Sequence, residues 1–128
     1  MRAILLTAAA VTLATAATPA LAQNMNAETF HKRSTALMKK GPLALLSRGE
    51  IRALMEEGQK AGMKSREQRL ATIKTGGKPR SCPPAGKQSM GSDEFMKRLS
   101  AIPQAERAKI DMTEAMTRIS AQKFPCPA

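Results

Sequence analysis

From Ala27 onward the apolar positions return every three or four residues, the spacing of one helix face, and no stretch alternates with the period of two that a half-buried strand needs. Asn26 is placed as an N-cap for a first helix carrying Ala27, Phe30, Ser34, Leu37 and Met38 on one side, and Gly41-Pro42 stops it. Leu43, Ala44, Leu45 and Leu46 then form a short apolar patch, read as one helical turn packed on the core. Ser47 with Glu50 has the spacing of a capping box, which opens a long second helix. Its predicted inner face runs through Ile51, Leu54, Met55, Gly58, Ala61, Gly62, Ser65, Arg69 and Ile73, and Gly76-Gly77 ends it. The small residues in mid-helix predict close packing of a neighbouring helix inside the domain, since two interior glycines otherwise cost about 1 kcal/mol each relative to alanine.

Residues 78–91 hold three prolines and two glycines and read as a loop. Ser92 is expected to cap a short third helix, with Asp93 and Glu94 in its first turn and Phe95, Met96 and Leu99 inward. Ile102-Pro103 breaks the chain, after which Ala108, Met112, Ala115, Met116 and Ile119 predict one final helix running to Phe124-Pro125-Cys126-Pro127. The fold class is therefore all-α: a small helical domain of about four main helices, without internal repeats.

The first 22 residues change this picture. Arg2, an uncharged Ala/Leu/Thr-rich run and Ala20-Leu21-Ala22 have the grammar of a secretory signal peptide, and the run is too short for a bilayer-spanning helix. Residues 1–22 are thus expected to be removed, leaving 23–128 as a single helical domain in the periplasm. In an oxidising compartment the two cysteines, Cys82 and Cys126, are expected to pair as a structural disulfide across 44 positions. Closing such a loop stabilises a small domain by on the order of 3 to 4 kcal/mol in the chain-entropy account. A redox role would call for a Cys-x-x-Cys pair, which is missing.

Charge narrows the partners. Without the leader the chain carries 20 Lys/Arg against 10 Asp/Glu, a net charge of about +10 that attracts anions. With no Trp or Tyr and only Phe30, Phe95 and Phe124, it lacks the stacking platform of a single-strand binder, and no nucleic-acid partner is expected. Lys60, Lys64, Arg66, Arg69, Lys74, Lys78 and Arg80 form a candidate basic surface, although Glu56, Glu57 and Glu67 interleave with the helical members as on an ordinary solvated face.

Candidate chemistry is sparse. His31, the one histidine, lies a turn from Ser34, with no third residue identifiable from sequence to orient the ring and no Gly-x-Ser-x-Gly element. The methionines raise copper, but Met38, Met55, Met96, Met112 and Met116 fall on the helical stripes of a core, leaving Met25 and Met63 outside them. No catalytic residues, metal ligands or cofactor are expected, and the protein is read as a non-enzyme.

The Cys82-Pro83-Pro84 turn, the amphipathic terminal helix and the Phe124-Pro125-Cys126-Pro127 tail together resemble the Rap/Tai family of type VI secretion immunity proteins. That resemblance implies a small exported helical protein, commonly a homodimer, that binds and blocks a peptidoglycan amidase effector by occluding its active-site groove. Cys82, Cys126 and their flanking prolines carry over by motif, and their role is structural; no inhibitory residue does. An alternative from another class is a basic envelope-associated structural or adaptor protein, held by Lys/Arg to anionic polymers or lipid headgroups. Clustering of the seven basic residues on one surface would favour the second reading, and scatter the first.

Overall fold

The computed structural model describes residues 25–128; the expected leader lies outside them. The described chain is built from α1 (Ala27–Lys39), a 3₁₀ helix (Gly41–Ser47), α2 (Arg48–Lys74), α3 (Ser92–Ala101), a single turn α4 (Gln104–Arg107) and α5 (Met112–Lys123). The all-α expectation holds, with four long helices and, among the described residues, no strand.

The core is small: Ala27 and Phe30 of α1, Leu54 and Ala61 of α2, Leu99 and Ile102 at the end of α3, and Met112, Ala115 and Ile119 of α5. Phe95 of α3 meets Phe30 edge to face, with ring centroids 5.8 Å apart. Met25, expected outside the stripes, packs against this core. The middle of α2 lies along α5 as its small residues predict. Ala61 is fully buried, the Ser65 and Thr117 hydroxyls are 2.8 Å apart, and Gly62 faces the Met116 methyl.

The Asn26 cap forms as expected, its side chain accepting from the amides of Glu28 and Thr29, while its Nδ2 donates to Ala108 O at 2.9 Å and Ile110 O at 3.2 Å. One residue therefore starts α1 and ties it to the turn before α5. At the other end of α2, Gly76 adopts φ +80°, and the Gly77 and Gly76 amides bond back to Thr72 O and Ile73 O, a left-handed stop that returns the last carbonyls of the helix to use.

Several expectations are corrected. Ser47 ends the 3₁₀ helix and holds the cap position of α2 with non-helical torsions (φ −103°, ψ 42°), but its side chain makes no cap bond and the capping box does not form; Glu50 turns to Arg33, which donates to both its oxygens. Ser92 is the first residue of α3, and Gly91 occupies the cap position. The expected final helix is two pieces, because Asp111 is extended and caps α5 by accepting from the Glu114 amide; Ala108, placed on that helix's inner stripe, is an exposed turn residue.

The leucine patch does not pack on the core either, since Leu43, Leu45 and Leu46 are 66%, 65% and 86% exposed. Met38, Met55 and Ile73, assigned to inner stripes, are exposed as well. Length explains Ile73: the 27 residues of α2 span about 40 Å at 1.5 Å each, whereas the 12 of α5 span about 18 Å, so the end of α2 overhangs its partner; Met55, next to buried Leu54, lies instead on the side of α2 that borders the recess beside the 3₁₀ helix.

Candidate functional site

Cys82 and Cys126 are disulfide-bonded, with Cα atoms 4.8 Å apart, and the Cys82 amide donates to Phe124 O at 2.8 Å. The bond closes the tail onto the loop between α2 and α3. Arg80 secures that loop a second time by a two-pronged pairing to Glu114 of α5, and Lys123 reaches Ser89 O and Glu94. Arg80 and Arg118 together hold the Glu114 carboxyl below its ordinary range, Arg80 contributing more.

The seven basic residues do not form one surface. At about 100° per residue, Lys60, Lys64 and Lys74 share a side of α2 with Glu56 and Glu67, and Arg66 lies nearly opposite Lys64. Arg69 is half-buried, Lys78 is an exposed loop residue, and Arg80 is committed to Glu114. This is a mixed, solvated exterior.

The structure brings together residues that the sequence left apart. The antiparallel neighbours α1 and α3 enclose an open groove of about 570 Å³, lined by His31, Thr35, Met38 and Lys39 from one helix and Asp93, Met96, Lys97 and Ser100 from the other. Met38 and Met96 supply its apolar surface; the other lining residues are polar. At one end His31 Nε2 lies 2.9 Å from Ser100 Oγ. Burial, and then the neighbouring Arg107 charge, push the imidazole below its usual pKa, so it is held neutral and can accept from the hydroxyl.

Beneath that end lies the most consequential polar contact of the fold. Glu28, buried on α1, accepts from Arg107 Nε at 2.7 Å, and Arg107 Nη1 donates to the carbonyls of Ser100 and Ile102 at the end of α3. The guanidinium thus satisfies carbonyls that helix termination leaves without amide partners, and fixes α3 against α1. The Glu28 carboxyl is held below its ordinary range, first by this hydrogen bond. One wall of the groove is therefore set by a residue 79 positions away from its partner, for which the sequence carries no local signal.

Chemically the groove can bind but lacks the parts of a nucleophilic site. Ser100 is an exposed residue of α3, and no described carboxylate bonds to the second ring nitrogen of His31. No group of three His, Cys, Asp or Glu suited to a metal ion occurs among the described residues. Met112 is fully buried and Met116 packs against the core.

A second recess of about 430 Å³ lies between the 3₁₀ helix and α2, with Leu45, Ile51 and Met55 as its apolar part and Arg48, Arg52, Gln59 and Glu56 around them. No helix among the described residues is long and apolar enough to cross a membrane. No protein-family model, curated protein or solved structure matches the chain.

Proposed function

We propose that the protein is an exported, non-enzymatic binding protein that docks onto a protein partner in the envelope through the groove between α1 and α3. The observation that carries this reading is the groove itself: flexible, polarisable Met38 and Met96 side by side with hydrogen-bonding and charged groups, and walls joined by the Glu28–Arg107 pair. A mixture of apolar and polar groups is the composition of a protein interface, and thioethers adapt their shape to an incoming anchor. Dispersal of the basic residues supports the same reading, because a polymer held by charge alone calls for a continuous basic face. The resemblance to Rap/Tai immunity proteins, carried by the Cys-Pro turn and the Phe-Pro-Cys tail, supplies the partner class: a peptidoglycan amidase whose active-site cleft the bound protein covers.

Affinity capture from envelope extract tests this. The parent chain is expected to retain one hydrolase at low and high salt and to suppress its release of peptidoglycan fragments. Thr35→Arg, which places a charged side chain in the groove without entering the core, is expected to weaken retention at least about tenfold. Retention of diffuse polymer alone, released by salt and indifferent to Thr35→Arg, contradicts the reading.

A further inference from the structure

The three exposed leucines belong to neither the core nor the groove between α1 and α3. They sit on the tight Gly41–Ser47 turn that joins α1 to α2, a segment with no charged residue. Lys39 and Lys40 precede this turn, and Arg48 and Arg52 follow it. The nearest carboxylate in sequence, Glu50, is already neutralised by the two-pronged contact with Arg33. The result is an apolar turn flanked in sequence by four cations, in a chain whose charge after the expected leader is about +10.

We propose that this turn inserts into the interfacial region of an anionic phospholipid bilayer, so that the folded domain works at a membrane surface. Exposure favours a lipid over a protein partner here. Leu43 and Leu46 line neither recess and are 66% and 86% exposed, whereas hot spots of protein interfaces are packed into desolvated pockets. Acyl chains accept apolar side chains without a preformed complement, and anionic headgroups attract nearby Lys and Arg without fixed geometry. Arg48 and Arg52, one helical turn apart, flank the recess whose apolar part is Leu45, Ile51 and Met55, which places cations at headgroup level when the leucines are immersed. Glu56 also borders that recess, at the side farther along α2 from the turn.

The turn shares Lys39 with the lining of the protein-binding groove but none of its leucines, and its test has its own readout. The chain contains no Trp or Tyr, so Leu46→Trp gives a single emission that reports on the turn alone. With vesicles of phosphatidylglycerol and phosphatidylcholine this emission is expected to shift to the blue, and with phosphatidylcholine alone to stay unshifted. In sedimentation with the same vesicles, Leu45→Asp/Leu46→Asp is compared with the parent, both as the full chain so that any contribution of the leader is common to them. Binding is expected to fall at least about tenfold in the variant, with an unchanged circular dichroism spectrum because neither leucine is in the core. Binding of the parent is also expected to weaken as salt rises, by screening of the four cations. No blue shift on anionic vesicles, or equal sedimentation of variant and parent, overturns the proposal. So does leucine-dependent retention on an acidic protein with the vesicles left unbound, an outcome that would return the turn to a protein partner.

Discussion

Arg107 shows how much can rest on one side chain. It is buried, pairs with Glu28 and holds the last carbonyls of α3, so its removal leaves a buried carboxylate and terminal carbonyls unmatched at once. Arg107→Ala is expected to cost about 2 to 3 kcal/mol, since the pair lies at the edge of a small core, and to lower Tm by about 10 °C or more, read by thermal unfolding. The pH dependence follows from the same contact. The folded pKa of Glu28 lies below its ordinary 4.5, so its stabilisation is complete above that value and is lost as pH falls through the folded one. His31, whose folded pKa lies below 6.5, adds to the loss, because the unfolded chain binds its proton first as pH falls. Glu28→Gln is expected to flatten the acid limb of stability against pH; an unaltered limb would remove Glu28 from this account. None of this was legible in the sequence, where Arg107 reads as one more surface cation.

Among the helices, α2 divides what the sequence could and could not show. Its period and its glycine stop were readable, because they depend on neighbours in sequence, and its small residues signalled a packed helix without saying which. Which turns would be covered depended on the length of α5, and that was hidden by Asp111, whose cap splits the expected final helix in two. The same miscount placed Ile73 inside, whereas Met55, beside buried Leu54, was misjudged by the side of the helix it occupies. The glycines of α2 also differ from the close backbone approach the pattern suggested. A Cβ at Gly58 would stand 3.9 Å from the tip of the Phe30 ring, an ordinary contact, and the position is helical. Gly58→Ala is therefore expected to stabilise the domain by about 0.5 to 1 kcal/mol, through helix propensity and reduced freedom of the unfolded chain. A loss of stability in denaturant unfolding would show that the α1–α2 contact is tighter than this geometry.

At the scale of the whole molecule, a core of nine residues is held by restraints that act across the chain. The Cys82–Cys126 bond closes the tail on the loop, Asn26 joins the start of α1 to the turn before α5, and Arg80–Glu114 pins the loop to α5. The disulfide was foreseeable from the expected leader and the cysteine count. The groove was not, because its two walls come from helices brought together by contacts distant in sequence, among them Phe30–Phe95 and Glu28–Arg107. With so little interior, the molecule keeps much apolar surface outside, at the leucine turn and along α2, and the proposed membrane surface lies among these exposed residues. The central claim is that the α1–α3 groove holds a protein partner. Its most direct test is a photo-crosslinking amino acid placed at Thr35 in the intact cell. One discrete adduct, containing a peptidoglycan hydrolase and absent when the same probe replaces exposed Lys87, is the expected result; no adduct, or the same adduct from both positions, contradicts the account.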